Sequence, residues 1–323
     1  MHFNNKIEHK KMILNCYNEL LKRDPDENGM NHFLSLLKNK KIDEAQLREL
    51  IKGSPEFLDR DYTSIPVPIY PEKLKDLPYP KIVATYRIKN EERWIEKSLK
   101  AASEICQEIV ILDDGSTDDT LKICKSFSSV IDIHKQTNLP FDDTRDKNIL
   151  LQMALKCNPD FIISFDGDEI IMPNMKEILK EDLTILYPDA NVYKIQFLDM
   201  REKPNQIRIN DPTFHRFFKV LYRIKNQPNN LHFEETKFPG NAHCPVIPQN
   251  VTGLDNPAIS RVKILHYSLY DDEIRLEKYR HYTKLDPNNT DFFGYEHLIH
   301  PEKYCGPLEF AYLPKGSYIE DIK

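Results

Sequence analysis

The sequence predicts an α/β domain built on a parallel sheet and preceded by a small all-α helical module. Three observations predict it. From Lys81 onward, short apolar runs alternate with segments of helical periodicity, the pattern of βαβ units. The run Phe161-Ile162-Ile163-Ser164-Phe165 is apolar on both faces, as a strand inside a parallel sheet is, and ends abruptly in Asp166-Gly167-Asp168-Glu169. Before Lys81 the periodicity is helical only, and Pro66, Pro68, Pro71, Pro78 and Pro80 set the two parts apart.

In the helical module, Ile7, Met12, Ile13, Tyr17, Leu20 and Leu21 recur at helical spacing. The run from Arg23 to Gly29 breaks that helix. A second helix carries Phe33, Leu34, Leu36 and Leu37, and a third, from about Asp43, carries Leu47, Leu50 and Ile51. Ser54-Pro55-Glu56-Phe57 opens another turn, with Ser as N-cap and Pro at the first helical position. The proline density over 60–80 is expected to prevent regular structure and to make a stiff connection.

The α/β part begins with a strand at Ile82–Tyr86 and a helix from Asn90 to about Ile105 that turns Trp94, Ile95, Leu99 and Ala102 inward. A strand at Glu108–Leu112 follows, then a helix from Ser116 to Phe127, where Ser116 and Asp119 have capping-box spacing. Val130–Ile133 is a short strand, Asp143–Cys157 a helix and Phe161–Phe165 the next strand. Beyond Pro173, Val192–Phe197 and Val262–Leu265 read as strands and Asp271–Leu285 as a helix, while the aromatic tail to Lys323 has no legible pattern. The expected layout is a helical module over 1–60, a proline-rich linker over 61–80, the α/β domain over 81–270 and a helical extension over 271–323.

Composition narrows the function. A formal net charge of −6 gives no reason to expect binding to a nucleic-acid backbone. No apolar run reaches the length of a membrane span, and the first residues lack the apolar stretch of a signal peptide. The six cysteines are scattered without a Cys-x-x-Cys pair, which argues for reduced thiols in a cytoplasmic protein and against a zinc site. Location in the cytoplasm, with contact to the inner face of the membrane left open, is the expectation.

Three polar clusters stand at the ends of the apolar strands: Thr85-Tyr86-Arg87, Asp113-Asp114-Gly115-Ser116 and Asp166-Gly167-Asp168-Glu169. In an open parallel sheet, ligands bind beyond the carboxyl ends of the strands, so the clusters form one candidate site. Side chains two apart on a strand share a face, which would set Asp166 beside Asp168. Two carboxylates about 4 Å apart repel by roughly 4 kcal/mol, so a raised pKa, a basic side chain or a divalent cation must offset them. Asp113 can accept from a uracil imide or a ribose hydroxyl, or cap the following helix. Glu91 and Glu92 can complement a helix dipole, and Arg87 and Lys89 can meet phosphate or sit in solvent. Arg145 and Asn148, three apart on one helix face, can contact a diphosphate or form an ordinary polar face.

The run from Ile111 through Asp113-Asp114-Gly115-Ser116 to Thr120, followed by Phe165-Asp166-Gly167-Asp168-Glu169, resembles glycosyltransferase family 2 with its GT-A fold. Lys89-Asn90-Glu91-Glu92 is similar to the Lys-Asn-Glu run of one branch of that family. The resemblance covers about 81–170 and fades toward 270. It implies a nucleotide-diphosphate sugar donor, with UDP as its carrier, a divalent cation (manganese or magnesium), and inversion at the anomeric carbon. It places the nucleoside on Thr85 and Asp113, the ribose or metal on Asp166, and the metal on Asp168. Tyr86, Arg87, Glu91, Asp114, Arg145, Asn148 and Gly167 complete the expected donor site, and His266 is a candidate late metal ligand. The acceptor would be a glycan, a lipid-linked sugar or a protein. Asp168→Ala is expected to abolish metal-dependent turnover with little loss of folding.

Inversion requires a carboxylate base. The family's acidic residue near a His-Glu pair has no counterpart, because Cys244 follows His243. Glu235 and Glu234 are therefore the candidates, with Asp199 and Asp255 behind them. Arg216 could meet phosphate or acceptor, and His243 an acceptor-side loop. The alternative reading is a sugar-binding protein whose transferase activity has decayed. A sugar nucleotidyltransferase or a dinucleotide dehydrogenase would need a Gly-rich loop after the first strand, and Thr85–Lys89 has no glycine. Tyr17-x-x-Leu20-Leu21-x-Arg23-x-Pro25-Asp26-x-x-Gly29 with Ser54-Pro55-Glu56-Phe57 resembles the bacterial domain of unknown function family 4214, which implies a small helical module open to partner binding or oligomerisation.

Overall fold

The computed structural model describes residues 2–21, 23–39, 41–52, 54, 57, 64–137, 139–209, 218–236, 244–285, 287, 295–305 and 308–322. The chain divides into two compact units, Met1–Lys75 and Asp76–Lys323. Arg216 and His243 lie outside the described residues, as do Pro55 and Glu56.

The first unit packs α1 (His2–Leu20), α2 (Glu27–Lys38) and α3 (Glu44–Lys52) around Ile13, Cys16, Tyr17, Leu34, Leu37, Leu47 and Ile51. The residues that break α1 from α2 have structural uses. The Asp26 carboxylate accepts the Gly29 N–H at 2.7 Å as the cap of α2, and Arg23 lies over the Tyr17 ring. Gly29 is required by close approach, because a Cβ there would stand 2.5 Å from the Tyr17 hydroxyl. Asp43 and Gln46 form a reciprocal capping box on α3, each accepting the other's backbone N–H at 2.9 Å. The proline-dense stretch is less irregular than expected. Pro71 opens the short helix α4 (Pro71–Leu74), where its missing N–H costs nothing, and Tyr70 donates to the Lys41 carbonyl.

The second unit carries a ten-stranded sheet in the order β10-β7-β6-β8-β4-β1-β2-β3, with β9 joined to β6 and β5 joined to β9. Its strands are β1 (Ile82–Ile88), β2 (Glu108–Asp113), β3 (Val130–Lys135), β4 (Phe161–Phe165), β5 (Glu169–Ile171), β6 (Val192–Arg201), β7 (Lys203–Arg208), β8 (Phe218–Arg223), β9 (Ala258–His266) and β10 (Phe310–Tyr312). The expected parallel block is present: β1 pairs in parallel with β2 and β4, and β2 with β3. Beyond β4 the sheet turns mixed, with β8 antiparallel to β4 and to β6, and β9 parallel to β6.

Alternation along β1 assigns its faces. Tyr86 turns to α5 (Ile95–Ile105), where its hydroxyl meets the Ser98 hydroxyl at 2.9 Å. Val83 turns the other way, toward α7 (Asp143–Lys156), in a core shared with Val110, Leu112, Leu150 and Phe233. The remaining helices are α6 (Thr120–Cys124), α8 (Lys176–Glu181), α9 (Asp272–Leu285) and α10 (Glu302–Cys305). Two expected helices begin later than their sequence suggests. Residues 91–94 form a turn before α5, and α6 is shorter than the expected 116–127 because the loop before it is held by side chains. The tail without a legible pattern supplies β10, paired with β7.

Candidate active site

The carboxyl ends of β1, β2 and β4 meet at one rim, and side chains from the intervening loops lock them together. At the end of β2, Asp113 is fully buried and accepts the Ser116 N–H on both oxygens, at 3.1 and 3.3 Å. That geometry shapes the loop after β2. Gly115 sits at φ 79° in the left-handed region, which the same tight turn requires. Asn90, at φ 55°, gives its backbone N–H to Ser116 Oγ and takes the Thr117 N–H on Oδ1. Asn is among the few side chains at home in that region. The Glu91 N–H donates to Thr120 Oγ1. The loop after β1 is thereby stitched to the loop after β2.

Glu91 links this loop to the third. Its side chain lies over Gly167, where an added Cβ would come within 2.5 Å of Glu91 Cγ. Burial first, then Asp168 and Asp166, raise the Glu91 carboxyl well above the usual carboxylate range against the pull of Lys278.

A basic arm stands beside this rim. Arg87 donates through Nε to Asp146 at 2.8 Å and through Nη2 to Asp114 at 3.0 Å, while its guanidinium stacks on Phe141. Arg145 reaches the same Asp146 through Nε and Nη2, at 2.9 and 2.7 Å, and Gln136 adds a further donor. Asp146 is fully buried and holds both arginines in register with one charge. Lys89 lies 3.8 Å from Asp114. Three basic groups are thus gathered around Asp114 and Asp146.

The acidic loop forms the other half. Three strands align Glu169 with His266 and His266 with Asp199. His266 Nδ1 lies 3.0 Å from Asp199 Oδ1, its ring stacks on Phe197, and its Nε2 faces Asp168 Oδ1 at 3.9 Å. Burial lowers the His266 pKa, but the Asp199 hydrogen bond and Asp168 raise it further, so it lies above its ordinary value. Burial would raise the Asp168 carboxyl, yet Lys278 and His266 bring it down to about 2. Lys278, on α9, donates to Asp168 Oδ2 at 2.9 Å and to Ser268 Oγ at 2.7 Å. Glu169 is buried against Lys219 Nζ at 2.9 Å, and accepts the Asp166 backbone N–H on Oε2.

A divalent cation fits part of this set. Asp168 Oδ1 and His266 Nε2 face one another, and Asp199 on Nδ1 is the orienting partner that a metal-bound imidazole uses. Two protein ligands with open positions suit manganese or magnesium, which keep water or phosphate oxygens in their shell. Asp166 does not close the set: its side chain is 63% exposed and lies 3.9 Å from Lys219. Among the described residues no group of three His, Cys, Asp or Glu side chains converges at metal-binding spacing.

Other expected site residues fall elsewhere. Tyr86 is core, fully buried against Phe165 and Ser98, because its parity on β1 points it beneath α5. Thr85 is nearly buried and shares a hydrogen bond with Ser164. Both ends of the Asn148 amide hold the Phe233 backbone at 2.9 Å, so it braces the 231–235 loop. Glu234 and Glu235 project from that braced loop into solvent, with Thr144 donating to the Glu234 carbonyl. Neither makes a hydrogen bond or ion pair with Asp166 or Asp168 among the described residues. Asp199 is committed to His266 and Arg201, and Asp255 lies in an exposed turn. Asp168→Ala would leave the Lys278 ammonium without its carboxylate.

Lys278, Asp146, Lys219 and Gln136 went unnoticed in the sequence. Each serves a group 10 to 110 residues away, Asp146 holding its neighbour Arg145 as well, and no local pattern marks them. No helix among the described residues is long and apolar enough to cross a membrane.

Residues 83–242 match the family described as Glycosyl transferase family 2, and residues 1–61 match a domain of unknown function, DUF4214. An "Uncharacterized glycosyltransferase" of Rickettsia bellii (strain RML369-C) is 24% identical over 137 residues, which cover 41% of this chain and 43% of that protein. The chain therefore spans less than half the length of that relative. Among solved structures, S. aureus TarS 1–349 aligns at TM-score 0.39 and 16% identity, over 68% of this chain and 69% of that one. Glucosyl-3-phosphoglycerate synthase from Mycobacterium tuberculosis, in complex with Mn2+, uridine diphosphate and glucosyl-3-phosphoglycerate, aligns at TM-score 0.27 and 19% identity, over 36% of this chain and 44% of that one. Residues 83–242 thus carry a glycosyltransferase family 2 domain, and residues 1–61 a DUF4214 module.

Proposed function

We propose that the chain is a cation-assisted, inverting glycosyltransferase that moves a sugar from a nucleoside-diphosphate donor, with UDP as its carrier, to a hydroxyl of a glycan, lipid-linked or protein acceptor. The observation that carries this reading is the juxtaposition, on one rim, of the Asp168–His266 pair and the Arg87–Asp146–Arg145 arm. Departure of a diphosphate builds negative charge, and fixed positive groups aimed at that charge lower the barrier without reorganisation. Arg87 and Arg145 are pre-set for this role by Asp146. Asp168 and His266 would hold a manganese or magnesium ion, which supplies further charge neutralisation at the leaving group.

Inversion places the attacking hydroxyl opposite the diphosphate, so its base must come from another element. Glu235 is the base this reading assigns, with Glu234 beside it. Support comes from the loop, whose backbone is pinned at Phe233 and Glu234 while the carboxylates stay in solvent. The N-terminal module is read as a docking or assembly element, since its motif residues cap and stack within their own unit.

The test is donor hydrolysis and transfer with UDP-sugars and manganese. Asp168→Asn, which keeps a partner for Lys278, should lower turnover on the order of a hundredfold. Glu235→Gln should lower kcat while leaving UDP affinity near wild type. Wild-type turnover in Asp168→Asn would refute the assignment of the cation. Saturable donor binding without turnover in the wild type would identify a binding protein instead.

A further inference from the structure

The middle of α9 reaches the acidic loop through Lys278. Its start is tied down by an Arg93–Asp271 ion pair at 2.7 Å, by the Asp271 carboxylate accepting the Ile274 N–H, and by Arg275 donating to the Leu269 carbonyl. These contacts fix the helix close to its beginning and deliver Lys278 to Asp168. The Lys278 ammonium is not a loose surface charge. It donates to Asp168 Oδ2 and to Ser268 Oγ, and Ser268 lies two positions beyond His266. Asp168 thus has its two oxygens in different company: Oδ2 holds a lysine, and Oδ1 faces the His266 imidazole.

The arrangement places a covalently attached cation on the carboxylate that the preceding reading gives to a divalent ion. We propose that Lys278 is a tethered cation of the donor site, competing with a free divalent ion for Asp168 and standing in for it toward the donor diphosphate. The inference rests on the functional reading above and deepens it. A lysine is a compact charge on a flexible stem, suited to moving between a carboxylate and a phosphate oxygen. Without it, Asp166 and Asp168 would confront an incoming diphosphate with one cation fewer beside them, leaving His266 and Lys219 on their own side of the rim. With it, the site is charge-compensated before any metal arrives. Its ammonium must be repelled or displaced when a divalent ion approaches Asp168, since like charges a few ångströms apart oppose one another.

Two readouts independent of turnover test this on the full chain. The first is manganese affinity without nucleotide, read by the electron paramagnetic resonance of free manganese. Lys278→Met keeps the stem and removes the charge, and should bind manganese on the order of tenfold more tightly than wild type. Lys278→Arg keeps the charge and should stay near wild type. The second is calorimetric UDP affinity in excess chelator, where Lys278→Met should be weaker on the order of tenfold and Lys278→Arg close to wild type. Folding of each variant is checked by thermal melting. Unchanged manganese and UDP affinities in a folded Lys278→Met protein would overturn the proposal. Asp168→Asn separates the two levels. If manganese binding disappears in Asp168→Asn and Lys278→Met matches wild type, only the tethered cation is wrong. If manganese binding survives Asp168→Asn, the metal assignment itself falls, and competition at Asp168 falls with it.

Discussion

Lys219→Met should make the stability of the second unit fall steeply with pH above neutrality. Glu169 is buried beside Lys219, and burial raises its carboxyl from the ordinary 4.5 to about 7 even against the pull of that lysine. A folded pKa above the unfolded one means that Glu169 contributes stability fully below about pH 4.5 and loses it as pH rises through about 7. In the wild type this loss amounts to about 3 kcal/mol and levels off once Glu169 ionises against Lys219. Without Lys219 the carboxyl has no buried cation to ionise against, so the loss continues above pH 7 at about 1.4 kcal/mol per pH unit. Two units higher, the variant should trail the wild type by a further ~3 kcal/mol, while near pH 6 the two curves approach one another. Trp94 is the only tryptophan, nearly buried and stacked on Tyr267, so its fluorescence during urea unfolding reports the second unit alone. His266 also faces Glu169, and its titration is common to both proteins. The Glu169→Gln/Lys219→Met double variant subtracts it and should show no extra slope. A deficit that stays constant from about pH 6 to about pH 9 would refute the argument, because Glu169 would then not be holding its proton.

Asp146→Asn should loosen both arginines at once. We expect a stability loss on the order of 2 kcal/mol by urea unfolding and at least a roughly tenfold loss of UDP affinity by calorimetry, and unchanged UDP affinity would show that the arm does not serve the diphosphate. Gly167→Ala should drive a methyl group into Glu91, costing about 1–3 kcal/mol and weakening donor binding. A variant with wild-type melting and affinity would mean that Glu91 yields without consequence.

The parallel half of the sheet was legible because its strands are buried on both faces and read as apolar runs. Burial over Ile82–Tyr86 and Glu108–Asp113 is nearly continuous, so pattern and structure coincide there. The mixed half was not. β7 carries Lys203, Asn205, Gln206 and Arg208, and β5 and β10 have three residues each, too few to show a period. β5 and β10 take their partners, β9 and β7, from about 100 residues away, and propensity yields to such tertiary context. Tyr86 shows the matching error at the site. It was grouped with Thr85 and Arg87 by adjacency, whereas a period of two sends neighbours to opposite faces.

The same asymmetry explains which charges the sequence revealed. The acids that face the rim come in local clusters, because a strand end and its turn present them together: Asp113-Asp114 after β2, Asp166-Gly167-Asp168-Glu169 after β4. Their counter-charges do not. Asp168 takes Lys278 from 110 residues away, and Arg87 takes Asp146 from 59 away. Bringing a cation from a distant element makes the charge balance of the site depend on the fold being complete. Local unfolding of α9 would return Asp168 to water without its ammonium, and on the proposed reading the acids would then repel the donor diphosphate. Donor binding should therefore weaken as α9 frays, ahead of any loss of the parallel core. Hydrogen exchange of the 272–285 amides, followed with and without UDP in chelator, measures that coupling directly: protection in α9 should rise with UDP in the wild type and fail to rise in Lys278→Met.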